Sequence, residues 1–235
     1  MSLNGRPVLA LIPARSGSKG LRGKNMCKVN EVPLVGYSIQ AALDSNFICD
    51  VYLTSDDELT LSYAEKVGVI PLRRPAKYST DLASANDVVE HFLKTLPESL
   101  LKQDPYIIYL QPTSPLRTTK HIDDALDKML EQGLNKLISV VEMTKSPFKS
   151  FVLDKQGCLQ SLFDESKTNQ RRQDLPAVYA ANGAIYVFCL SDFTDSNTFP
   201  SNGSYPYIMS EVDSLDIDVE DDLDTFQEII NKKVI

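Results

Sequence analysis

Short apolar runs alternate with stretches of helical period along most of the chain. Residues 8–12 read as a strand followed by a helical pattern at 34–43. Residues 51–54 precede a helix over 59–67, and 69–72 precede one over 88–96. The rhythm continues with the fully apolar run 106–110, an amphipathic stretch over 122–130 and a strand-like 137–141. Strands that are apolar on both faces and joined by helices predict an α/β fold, with a mostly parallel central sheet and helices on both faces.

The pattern breaks after Glu142 into a polar stretch that runs to Pro176, with a possible hairpin over 149–162 around Lys155, Gln156 and Gly157. Residues 184–188 resume a strand, 214–219 offer one more, and 222–231 read as a closing helix whose aspartates suit its positive N-terminal end. The expectation is a single domain over 1–235, with 143–181 an excursion from the core.

Composition narrows the classes. A chain of 235 residues with 43% hydrophobic and 24% charged residues is ordinary for a globular protein. The net charge of −8 argues against nucleic acid or an anionic membrane surface as a partner, because both select basic surfaces. No apolar run approaches a membrane span, and the N-terminal apolar stretch is too short for a signal peptide, which points to the cytoplasm. The four cysteines, Cys27, Cys49, Cys158 and Cys189, form no CxxC pair. They read as buried or incidental thiols.

The chemistry concentrates just after the first strand. Between Arg15 and Asn25 stand three glycines (Gly17, Gly20, Gly23) and four cations (Arg15, Lys19, Arg22, Lys24). Glycines let backbone approach an anion closely and Arg and Lys neutralise it, so such a loop at a strand's C-terminal end suits a polyphosphate. Five residues separate Gly17 from Gly23 where a Walker A loop has four, and Asn25 stands where that loop has Ser or Thr. The GxxGxxG spacing is not the dinucleotide fingerprint either.

The run ARSGSKGLRGKN resembles the signature AR-x-x-SKGL-x-x-KN of the acylneuraminate cytidylyltransferases, the CMP-sialic acid synthetases. Further blocks share the resemblance: Arg73-Arg74-Pro75 with Asp81-Leu82-Ala83-Ser84, then Gln111 to Arg117 (QPTSPLR), RRQDLP from Arg171, and NGAIY from Asn182. The resemblance implies a nucleotide-diphospho-sugar-transferase-like, Rossmann-like sheet. It also implies a magnesium-dependent reaction of CTP with a nine-carbon acidic sugar, and a homodimer in which the excursion reaches toward the partner's site. It carries roles to individual residues. Arg15, Ser18, Lys19 and Lys24 would hold the triphosphate, and Asn25, Arg74 and Ser84 would frame the cytidine. Gln111, Thr113, Ser114, Lys149, Arg172, Gln173 and Asn182 would meet the sugar. Ala85 stands where some relatives carry a second serine, so a contact through that hydroxyl is absent or replaced.

In the run from Ser214 to Val219, a strand's alternation would put Leu215, Ile217 and Val219 on one face and Asp216 and Asp218 on the other. Two carboxylates plus substrate phosphates complete a magnesium shell, and the pair resembles the family's metal motif. Arg15, Lys19, Lys24, Asp216 and Asp218 are therefore the candidate catalytic set. His91 and His121 fall in helical patterns, with neither HExxH nor GxSxG in the chain, and read as helix-surface histidines. N-acetylneuraminate is the favoured sugar. Legionaminate, pseudaminate and, more distantly, 3-deoxy-manno-octulosonate remain alternatives, as does a non-catalytic nucleotide-binding module.

Overall fold

The computed structural model describes residues 3–17 and 20–233. Seven strands form one sheet: β1 (Val8–Pro13), β2 (Ile48–Ser55), β3 (Ile70–Arg73), β4 (Tyr106–Tyr109), β5 (Lys136–Glu142), β6 (Tyr179–Cys189) and β7 (Tyr205–Met209). Their spatial order is β7-β5-β6-β4-β1-β2-β3. Neighbouring strands pair in parallel, except that β6 runs against both β4 and β5.

Successive side chains on a strand point to opposite faces, and here both faces are dry. Val8, Ala10 and Ile12 enter one core, shared with α1 (Leu34–Leu43), α2 (Glu58–Lys66) and an amphipathic helix over Thr119–Gln132. Leu9 and Leu11 enter the other, against α3 (Ala85–Leu93). The helix Thr119–Gln132, here α4, begins at a capping box of Thr118 and His121 and ends at Gly133 in the left-handed region. A third cluster joins Val29, Leu34, Leu116 and Ile217 to Phe226 of the closing helix α5 (Glu220–Lys233). The Tyr37 ring meets Phe226 edge-on at 4.9 Å.

Two tail expectations change. Residues 214–219 are not a strand but a segment without regular structure that leaves a turn and lies outside the sheet. Its backbone bonds go elsewhere: Ile217 N donates to the Thr113 carbonyl at 2.8 Å, and Asp218 N and Val219 N donate to the Asp222 carboxylate. Conversely, Tyr205–Met209 is a strand that the pattern did not reveal. Pro206 lies inside it, and the strand sits at the sheet edge, where a missing N–H is tolerated.

The excursion after β5 contributes no strand to the sheet until β6 begins. It holds the expected hairpin, Phe151–Leu153 against Leu159–Ser161, with Asp154 accepting from the amides of Gln156 and Cys158 in the turn. Its two ends lie side by side, with Tyr179 opposite Glu142 and Met143 N donating to the Val178 carbonyl at 2.8 Å.

Candidate active site

The C-terminal ends of parallel strands in an open α/β sheet are where ligands bind, and the glycine-rich loop leaves β1 there. The strand end and loop root are held by β2 and its following turn. Ala14 N donates to the Thr54 carbonyl, and Ser16 donates to the Asp56 carboxylate through its amide (2.8 Å) and hydroxyl (2.6 Å). Burial raises the Asp56 pKa, but the Ser16 bonds outweigh it and hold the carboxyl below its ordinary range. Asn25, nearly buried, donates from Nδ2 to the Arg15 carbonyl at 2.9 Å and so closes the loop on itself.

The acidic segment lies against this loop. Gly20 approaches the Asp218 backbone so closely that a Cβ would collide with the Asp218 carbonyl oxygen. Lys24, whose side chain is only 13% exposed, donates from Nζ to the Ile217 carbonyl at 2.8 Å and to Asp218 Oδ1 at 2.9 Å. Asp216 opens into the same cleft. Desolvation lifts its carboxyl above the usual range; Asp218 and Asp222 add like charge, and a hydrogen bond from Thr113 and the Lys24 cation oppose the rise.

The cleft encloses about 560 Å³ and is lined by Arg15, Gly17, Gly20, Lys24, Asn25, Arg74, Ser84, Gln111, Thr113, Asp216 and Asp218, among others. That volume lies within the range of small-molecule sites. Arg15 spans it, its NH1 donating to the Thr80 carbonyl and pairing with Asp81, both at 3.0 Å. Arg74 is 4% exposed, and its Nε and NH2 have no hydrogen-bond partner among the described residues. Desolvation lowers its pKa, the Arg15 charge lowers it further, and Tyr109 and Asp56 act against the fall. Unpaired buried donors on a cleft wall are what a ligand's acceptors would satisfy.

The expected residues thus divide. Arg15, Lys24, Asn25, Arg74, Ser84, Gln111, Thr113, Asp216 and Asp218 come together, whereas Ser18 and Lys19 lie outside the described residues. Ser84 faces the cleft, but its hydroxyl serves α3: it accepts from Asp87 N at 3.2 Å and bonds the Asp87 carboxylate at 2.8 Å. Ser114 and Asn182 are buried and absent from the lining. Asn182 ties the sheet instead, accepting from Ser139 Oγ at 2.5 Å and donating to Ser214 Oγ at 2.9 Å. Arg172 and Gln173 line a second cleft of about 380 Å³ on the excursion, and the exposed Lys149 lines neither.

Two side chains go beyond the sequence reading. Tyr109, at the end of β4, lines the cleft and is pushed well above its usual pKa by burial. Tyr78 lines the same cleft, together with Asp81 of the Asp81–Ser84 block. Tyr109 was findable, since alternation along β4 turns it away from Ile108. Tyr78 carried no signal outside the fold.

The sequence pattern described as Cytidylyltransferase matches residues 9–228. The chain belongs to the cytidylyltransferase family. It is similar to the N-acylneuraminate cytidylyltransferase of Escherichia coli, 37% identical over 229 residues that cover 96% of this chain and 52% of that protein. It also resembles the post-translational flagellin modification protein B of Campylobacter coli, 26% identical over 227 residues and 96% of each chain. The chain spans about half the length of the N-acylneuraminate cytidylyltransferases it matches. In fold it resembles CMP:2-keto-3-deoxy-manno-octonic acid synthetase complexed with CTP, with a TM-score of 0.69, 16% identity and coverage of 97% and 99% of the two chains. The cleft is built by four segments: the loops after β1, β3 and β4 and the acidic segment before α5.

Proposed function

We propose that this cytidylyltransferase transfers CMP from CTP to the anomeric hydroxyl of a nine-carbon sialic-type acid, with N-acetylneuraminate favoured. The observation that carries the reading is the convergence, in one cleft, of a cationic glycine loop and two carboxylates. The sugar's anomeric oxygen would form the new bond to the α-phosphorus, the bond to the β-phosphate's bridging oxygen would break, and pyrophosphate would leave. The hydroxyl proton passes to solvent.

Arg15 and Lys24 are the loop cations placed for the triphosphate, and each is held by a carboxylate that phosphate oxygens would replace. Arg74, with two unpaired donors, is placed to meet an acceptor on the cytidine. Ser84 contributes chiefly as the cap of α3. Positioning and fixed charge account for most of such catalysis.

Asp216 and Asp218 suit magnesium, which takes one or two carboxylates together with substrate phosphates and water. A divalent cation would offset the desolvation, and then the like charge, that raise the Asp216 carboxyl. Bound there, magnesium supplies charge neutralisation at the phosphates.

The excursion favours a homodimer. Leu153, Leu159 and Phe163 are 69%, 68% and 61% exposed on it, apolar side chains that a second copy would cover. Docked on a second copy, it would carry Lys149, Arg172 and Gln173 toward the partner's cleft, where a guanidinium can hold the sugar carboxylate.

Pyrophosphate release, measured with CTP and other nucleotides against a panel of acidic sugars with and without magnesium, tests the reading. Magnesium-dependent turnover with CTP and a nine-carbon acid is expected. Activity confined to the eight-carbon acid would sink it. Legionaminic and pseudaminic acids belong in the panel as the alternative nine-carbon acids.

A further inference from the structure

Arg117 is 1% exposed and lies at the junction of three elements. Its Nε donates to the Ala184 carbonyl on β6 at 2.9 Å. Its NH2 donates to Ser38 Oγ on α1 at 2.7 Å and to the Gln111 carbonyl, just past β4, at 2.9 Å. No carboxylate pairs with it among the described residues. A buried cation held by neutral oxygens alone is costly, and desolvation lowers its pKa to about 9. If packing were the only requirement, an apolar side chain of similar volume would serve as well or better.

What the guanidinium controls is the Gln111 wall of the cleft. Gly183 adopts a φ of +78°, and a Cβ there would lie 2.6 Å from Gln111 Oε1. The Gln111 carboxamide thus rests on bare backbone. The strand is irregular here, its register against β5 shifting between Ala181 and Tyr186. Regular pairing does not hold this stretch, so Arg117 pins both sides of the contact, through the Gln111 carbonyl and the Ala184 carbonyl next to Gly183. The same loop passes its Thr113 carbonyl to Ile217 N, next to Asp216.

We propose that Arg117, which touches no substrate, is the positioning residue for the acid-sugar side of the site, holding the Gln111 carboxamide against Gly183. This rests on the proposed function for its kinetic consequence but not for its geometry. Arg117→Lys keeps the charge and loses the fork that reaches two elements at once. It is expected to raise KM for the acidic sugar roughly tenfold or more while KM for CTP stays within about twofold, because a small displacement of a positioning group is felt at the group it positions. Hydrogen exchange should quicken at the amides of 111–117 and 182–186. Equal loss of activity toward both substrates with unchanged KM values, or unchanged exchange at those amides, would overturn the proposal. Should Arg117→Lys not fold, Ser38→Ala removes one anchor of the guanidinium and should raise the sugar KM by a smaller factor, about threefold; no rise would overturn it equally. The exchange arm needs no turnover, so an inactive wild type refutes the proposed function and leaves exchange to decide Arg117.

Discussion

Asp216 carries the clearest residue-scale consequence. Its carboxyl is raised by desolvation and then by Asp218 and Asp222, so the native state holds this proton more tightly than the unfolded chain does. The stability linked to it is complete below the ordinary carboxylate range, near pH 4, and is lost as pH rises through the raised value. Asp216→Asn, uncharged throughout, should therefore raise Tm near pH 7 in the absence of divalent cations. Thermal unfolding at descending pH should show that gain shrinking toward zero, and no gain at neutral pH would mean that the carboxylate is not strained. The same substitution should abolish magnesium-dependent turnover. Asp56 has the opposite sign: held below its ordinary range by Ser16, it stabilises the loop root above that range and loses its hold as pH falls.

Among the elements, α3 shows how one side chain is shared between fold and site. Ser84 lines the cleft and closes a capping box with Asp87, and an N-cap serine contributes on the order of 1 kcal/mol to a helix. Ser84→Ala should lower Tm by a few degrees with little change in the KM for CTP; a large change in that KM with unaltered Tm would assign the hydroxyl to the nucleotide instead. The acidic segment before α5 teaches the related lesson. Its alternating pattern reads as a strand and is not one, because Thr113, Lys24 and Asp222 satisfy its backbone where a neighbouring strand would otherwise be needed. Even so, Ile217 is buried while Asp216 and Asp218 open to the cleft, the division of sides that the alternating pattern anticipates.

For the whole molecule, the excursion decides whether one chain is enough. A single chain holds Arg15, Lys24, Asp216 and Asp218 in one cleft and leaves Arg172 and Gln173 in another. Replacing Leu153 and Leu159 by charged residues should shift a homodimer toward monomer in sedimentation and raise KM for the acidic sugar more than for CTP. Wild-type sedimentation as a monomer would remove the dimer from the account.

The βαβ rhythm, the parallel sheet with two dry faces, and the glycine and lysine loop at the end of the first strand were legible in the chain. Each depends on local periodicity or on residues adjacent in sequence. The strand Tyr205–Met209 was not, since Pro206 and polar flanks mask an edge whose pairing with β5 spans more than sixty residues of chain. Nor could any motif say that Asn182 would brace the sheet, that Ser84 would spend its hydroxyl on a helix cap, or that Arg117 would sit buried with neutral partners. Burial and hydrogen-bond partners belong to three-dimensional neighbours. Sequence spacing determined which residues the protein has for its chemistry, and tertiary packing alone decided which of them face the cleft.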